Sequence, residues 1–195
     1  PTMTKFYNPA VIYAAQKCGV KEIYKIGGSQ AIAAMTYGTK TVQKVDKIVG
    51  PGNSFVASAK KQVFGDVGID MIAGPSEVTI VADKSSKPDW IAADLIAQAE
   101  HDETSQSIVI ADNIKIIKKI NYFLLQQLKT LPKKNIASKS LKNFGLSILV
   151  NNKKVLIDTI NLIAPEHLEI FTKNANKLLK NISNAGSVFL GEYSP

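Results

Sequence analysis

The sequence predicts an α/β fold built on parallel sheets, and three observations carry that expectation. Short apolar, β-branched runs alternate with amphipathic segments along nearly the whole chain, the pattern of strand–helix–strand units with right-handed crossovers. Two of the strand ends run into glycine-rich turns that open helices, at Gly27-Gly28-Ser29-Gln30 and Gly50-Pro51-Gly52-Asn53. Hydrophobic residues make up 45% of the 195 positions, enough to bury a core.

In order, Pro9 to Cys18 reads as a helix stopped by Gly19, and Glu22 to Ile26 as a short strand. The first glycine turn then leads into a helix from Ala31 to Tyr37. Lys47 to Val49 is the next strand; the second turn opens a helix from Ser54 to Val63. Each turn places backbone N–H groups at a helix start, where anions and phosphates bind. Neither matches G-x-G-x-x-G, so an ordinary βα turn stays open beside a nucleotide site. Asn53 suits either a helix cap or a ligand contact. Two such turns at successive strand ends favour a crevice at the edge of a parallel sheet.

Asp70 to Ala73 reads as a third strand, and Gly74-Pro75 as a domain boundary, giving domains at 1–73 and 74–195. Beyond it come a strand from Glu77 to Asp83 and a helix from Pro88 that carries Gln98. A strand from Gln106 to Ala111 and a long helix from Ile114 to Leu131 follow. Pro132 to Ser140 reads as a lysine-rich loop or short helix. Strands at 147–150, 167–172 and 187–190 alternate with helices near 155–163 and 174–182.

The net charge is +8, and all 24 basic residues are lysines. Arginine is the usual bidentate reader of phosphate and guanine, so its absence counts against nucleic-acid binding. The lysines are densest between Lys115 and Lys154, where exposed helix faces and loops account for them. Cys18 is the single cysteine, which excludes an internal disulfide; it reads as a small buried hydrophobe. No run of apolar residues is long enough to span a membrane, and the chain reads as soluble and cytoplasmic.

Only two histidines occur, and each follows a glutamate: Glu100-His101 and Glu166-His167. Histidine is the common side chain for proton transfer and metal binding near neutral pH. If the helix from Pro88 continues through His101, Gln98 and His101 lie three apart on one face and can address one object. Histidine is a common zinc ligand, while a glutamine oxygen is an unusual one. The alternative is a helix end with a solvated glutamine and a histidine facing the negative end of the dipole; spacing leaves both open. At the second pair, strand alternation puts Glu166 and His167 on different sides unless the turn after Pro165 bends the chain.

Six ordered segments together resemble histidinol dehydrogenases: 26–34, 45–53, 69–77, 98–102, 164–168 and 186–191. The resemblance covers nearly the whole chain. It implies two incomplete Rossmann-like domains, with 1–73 in the NAD-side domain and 74–195 in the zinc- and substrate-side domain. It implies Gln98 and His101 as zinc ligands that also meet substrate, Glu166 and His167 as the catalytic pair, His167 and Ser76 as substrate contacts, and Gln30 and Asn53 as NAD contacts. The implied cofactors are Zn²⁺ and NAD, the implied substrate is L-histidinol, and the implied assembly of the full-length protein is a homodimer. Further zinc ligands, an Asp and a second His, are expected after Pro195, and an NAD-contacting tyrosine before Pro1. Two other readings stand beside this one. A nucleotide-binding module would need the glycine turns but neither Glu-His pair. A lysine-rich nucleic-acid binder would show steep salt dependence.

Overall fold

A computed structural model describes residues 8–72 and 74–193. The chain separates into two compact units, Pro1–Gly74 and Pro75–Pro195.

The first unit contains α1 (Pro9–Lys17), α2 (Ser29–Tyr37), β1 (Lys47–Ile48), α3 (Ser54–Gln62) and β2 (Gly68–Ile69). β1 and β2 pair in parallel, Lys47 opposite Gly68 and Ile48 opposite Ile69. Ile32, Ile48, Val63 and Val67 form the buried centre of this unit. Asparagine side chains start two of its helices: Asn8 accepts from the Ala10 N–H and Asn53 from the Val56 N–H.

Two expected strands are absent or shorter here. Glu22–Ile26 forms no strand among the described residues and stays largely exposed; an apolar run without a neighbouring ladder has nothing to satisfy its backbone. The strand expected over Asp70–Ala73 does not form at its described positions: β2 lies just before it, at Gly68–Ile69, and the Asp70 carboxylate accepts the N–H groups of Gly50 and Met71, bending the chain away. Ala73 lies outside the described residues. Cys18 is exposed rather than buried, because α1 buries none of its residues within the unit.

The second unit holds β3 (Glu77–Ala82), α4 (Pro88–Ala99), β4 (Gln106–Ala111), α5 (Ile114–Leu128), α6 (Lys134–Phe144), β5 (Gly145–Leu149), α7 (Lys153–Ile163), β6 (His167–Ile170), α8 (Ala175–Leu179) and β7 (Ser187–Leu190). The stretch 132–140, left between loop and helix by its sequence, is mostly α6. All strand pairs are parallel, in the order β5-β4-β3-β6-β7. Counted within the unit this is 3-2-1-4-5, the doubly wound Rossmann-type order, with the reversal between β3 and β6.

β3 and β4 are buried from their second residue onward, which is why they read as continuous apolar runs rather than alternating ones. One face of the sheet packs Val78, Ile80 and Val109 against Ile91 and Leu95 of α4 and Ile116 and Ile120 of α5. The other packs Val81, Ile108, Ile110, Leu168 and Ile170 against Ile160 of α7 and Leu178 of α8. Each such fully buried aliphatic side chain contributes about 1.5–3 kcal/mol.

Parallel strands with returning helices fix where the site is. α4 runs back from the end of β3 to the start of β4, so its C-terminus lies at the amino-terminal edge of the sheet. The chain then re-enters β6 at that same edge, through Ala164 in the left-handed region (φ 50°) and Pro165. A left-handed alanine costs about 1–2 kcal/mol, and it is the one non-glycine positive φ among the described residues. The bend stands directly before Glu166-His167.

Candidate active site

The structure brings Gln98, His101 and His167 around one cavity of about 300 Å³, with Val78, Asp94, Ala97, Glu169 and Phe189 completing its wall. Gln98 lies in the last turn of α4. His101 follows just past the helix end, its N–H donating to the Gln98 carbonyl at 3.2 Å. The helix thus stops short of His101, yet a single further turn keeps both side chains on one cavity. His101 is exposed and Gln98 half-buried. The Gln98 Nε2 is buried with no hydrogen-bond partner.

Glu166 and His167 meet across the backbone of Glu77, the first residue of β3. The Glu77 N–H donates to Glu166 Oε2 at 3.2 Å. His167 Nδ1 lies 3.2 Å from the Glu77 carbonyl. A carbonyl only accepts, so Nδ1 carries the proton and a neutral ring has its lone pair on Nε2. The ring stacks on Phe189 at 6.1 Å between centroids. Glu166 Oε2 is 3.7 Å from His167 Nδ1. The bend through Ala164 and Pro165 therefore overrides the separation that alternation alone would impose. Burial and the nearby Glu166 charge together push the Glu77 carboxyl above its ordinary range.

The position of Glu166 is held from the neighbouring strand. The Gly186 N–H donates to the Pro165 carbonyl at 2.9 Å and the Ser187 N–H to the Glu166 carbonyl at 2.8 Å. A Cβ on Gly186 would stand 2.5 Å from the Glu166 carbonyl oxygen, closer than carbon and oxygen approach. Gly186 is thus the residue that lets β7 come this near. Ser76 directly precedes β3, its carbonyl accepting from the Gln106 N–H at 3.0 Å. It shares the sheet edge but does not line the cavity.

Two cavity residues were not singled out in the sequence: Asp94 and Glu169. Glu169 is 6% exposed and sits two residues after His167, on the same face of β6. Burial and the adjacent Asp94 carboxyl push Glu169 up to about 8. Burial raises Asp94 as well, against the hydrogen bond it shares with Glu169. Two carboxyls in this contact hold a proton between them and titrate as a pair. The signal was present: a glutamate at alternation distance from His167 inside the apolar run Leu168-Glu169-Ile170, and an aspartate one helical turn before Gln98.

Gln30 and Asn53 belong to the first unit. Gln30 is exposed in the first turn of α2, its side chain folded over Gly28 (φ 74°), where an added Cβ would meet Gln30 Oε1 at 3.0 Å. The Asn53 Oδ1 is engaged as the cap of α3. Capping, one of the two roles its sequence position allowed, is the one occupied.

Among the described residues no three His, Cys, Asp or Glu side chains converge to hold a metal. Gln98 and His101 offer one oxygen and one nitrogen donor on a shared cavity, which fits one side of a zinc site; zinc centres take three or four protein ligands. No described helix is long and apolar enough to cross a membrane.

The family model for histidinol dehydrogenase matches residues 1–195. A histidinol dehydrogenase of Pelagibacter ubique is 61% identical over 188 residues, 96% of this chain and 44% of the relative. One from Rhizobium meliloti is 53% identical over 188 residues, 96% of this chain and 43% of the relative. The crystal structure of histidinol dehydrogenase from Elizabethkingia anophelis superposes with a TM-score of 0.92 at 44% identity, covering 100% of this chain and 45% of that one. The chain spans a little under half the length of these relatives. Over the span it covers, the chain belongs to the histidinol dehydrogenase family.

Proposed function

We propose that this chain supplies the catalytic pair and half of the zinc site of an enzyme that oxidises L-histidinol to L-histidine through L-histidinaldehyde, with two NAD⁺ as hydride acceptors. The observation that carries the reading is the His167 ring: its Nδ1 proton is committed to the Glu77 carbonyl, which leaves Nε2 as the basic atom.

In the first oxidation His167 Nε2 would take the proton of the alcohol oxygen, and NAD⁺, when bound, would supply the acceptor for hydride from the carbon that bears it. Glu166 would then take a proton from the water that adds to the aldehyde carbon, while His167 returns its proton to the carbonyl oxygen and becomes neutral again. The resulting hydrate loses a second hydride, and His167 again takes the hydroxyl proton. Two bases suit these separate proton transfers, and the Glu77 peptide group holds both within one site. Gln98 and His101 would hold the metal, which when bound supplies Lewis acidity and orients the substrate. Ser76 would contact substrate from the start of β3. Gln30 and Asn53 would contact NAD, with residues 1–73 as part of the NAD-side domain and 74–195 as part of the zinc- and substrate-side domain.

The family membership supports this reading. The remaining zinc ligands would come from outside these 195 residues, so the chain studied alone should hold zinc weakly and be inactive. The whole protein would work as a homodimer in the cytoplasm, and these 195 residues, which hold no arginine, are poorly suited to read a nucleic acid.

The test uses a family-length polypeptide carrying these residues. His167→Asn should leave zinc and histidinol binding in place and slow NADH formation by about 10²–10⁴-fold, the usual cost of losing a general base. A near-normal rate would sink the assignment.

A further inference from the structure

A glutamine is an unusual metal ligand because its two terminal atoms are nearly the same shape and only the oxygen coordinates. Something must choose which of the two faces the metal. Metal ligands are commonly oriented by a carboxylate or carbonyl bonded to their far side. Two atoms in this site are incomplete in complementary ways. Gln98 Nε2 is a buried donor without an acceptor, and Glu169 Oε2 is a buried acceptor without a donor. Both residues line the same cavity, together with Asp94 and His101. The Glu169 carboxyl also shares a hydrogen bond with Asp94, one helical turn before Gln98 on α4. Burying a polar atom unpaired costs about 1–3 kcal/mol, and pairing these two removes the cost at both ends.

We propose that Glu169 accepts a hydrogen bond from Gln98 Nε2 and so fixes Gln98 Oε1 as the metal-facing atom. Glu169 is then a positioning residue, acting through Gln98 without touching metal or substrate. Asp94, hydrogen-bonded to Glu169, steadies that carboxyl. The inference rests on the zinc reading of Gln98 and His101.

The readout is the zinc dissociation constant, measured by competition with a fluorescent chelator in the family-length protein. Glu169→Met removes the acceptor at similar volume and should weaken zinc binding about 10–100-fold. Glu169→Gln keeps a carbonyl acceptor and should hold affinity within about threefold of wild type. In a Gln98→Ala background the Glu169→Met effect should collapse to about threefold or less, since the two substitutions then remove the same interaction. A purely structural role for Glu169 would instead weaken binding equally in both backgrounds, which overturns the proposal. A structure of the zinc-loaded protein gives the same decision without a substitution. Gln98 Nε2 within about 3.2 Å of the Glu169 carboxylate is expected, and Nε2 bonded elsewhere overturns it. A wild-type protein that takes up no zinc overturns the metal reading itself; zinc uptake with additive substitutions overturns only the role of Glu169.

Discussion

Each unit carries a charged cluster, and the two clusters are built on opposite principles. In the first unit Lys60, 4% exposed, donates to the Gly50 carbonyl at 2.8 Å and pairs with the Asp70 carboxylate. Asp70 also accepts the Gly50 and Met71 N–H groups, each at 2.8 Å. Its carboxyl is held well below the usual range, first by the Lys60 hydrogen bond and then by these two N–H groups. Asp70 is partly open to solvent, so the pair is screened. Its effect is local: it ties the Gly50-Pro51-Gly52-Asn53 turn to the exit of β2. In the second unit Asp94 and Glu169 place two like-charged groups together, and Glu169 keeps an oxygen without a partner. Where every polar atom is matched, the cluster is scaffold. Where atoms are left unmatched beside a cavity, as at Gln98 Nε2 and Glu169 Oε2, they mark a candidate site.

The largest expected effect tests whether the sheet edge that carries the second cluster is the site. Glu166→Gln keeps the shape and a carbonyl acceptor for the Glu77 N–H but removes the base. In the family-length protein it should slow turnover of supplied histidinaldehyde by about 10²–10⁴-fold and affect oxidation of histidinol to the aldehyde far less. Equal losses with both substrates would mean that Glu166 is not the water-activating group. A matched change in the first cluster, Lys60→Met, should cost folding of the first unit and leave no such substrate distinction.

A smaller effect is expected from the backbone contact that positions Glu166. Gly186→Ala forces a methyl against the Glu166 carbonyl, where only 2.5 Å is available. The strand must shift, at about 1–3 kcal/mol of stability, read as a lower denaturant midpoint. The same shift should reduce aldehyde turnover more than histidinol oxidation, because it moves Glu166 before it moves His167. An unchanged midpoint would show that β7 has room to retreat.

The fold of the second unit was legible in the sequence because its strands are buried on both faces, and a run such as Val78-Thr79-Ile80-Val81-Ala82 reads the same way in isolation as in the sheet. The first unit was less so. Glu22–Ile26 has strand composition but no partner, and sequence pattern does not report pairing. Asp70 looked like the start of a strand because the turn it makes depends on Gly50, twenty residues away. At the site, both histidines were visible as residue types and the family resemblance put them in one site, but the way Glu166 and His167 meet at Glu77 was not legible. That depends on the left-handed Ala164, which no propensity favours, and on Gly186, whose role is a clearance. Asp94 and Glu169 were passed over because a carboxylate in an apolar strand draws notice only once its face is known. The same blindness to partners made Cys18 look buried.

The smallest effect separates the two clusters by the sign of their pH dependence. The folded-state pKa of Asp70 is depressed, so its contribution is present above the unfolded carboxyl value of about 3.9 and is lost as pH falls below it. Glu169 is raised to about 8, so the folded protein holds a proton there that the unfolded chain releases near 4.3. That contribution is fully present below the unfolded value and is lost as pH rises through about 8. Thermal midpoints of the metal-free protein should therefore decline toward both ends of the pH range. Asp70→Asn should flatten the acid side and Glu169→Gln the alkaline side. The chain has one tryptophan, Trp90, which packs against the core of the second unit. Its fluorescence should follow the alkaline decline alone, while circular dichroism, which sees both units, should follow both. An alkaline decline that survives Glu169→Gln, or an acid decline carried by Trp90 and abolished by Asp70→Asn, would show that the two clusters are not the independent opposites they are taken to be.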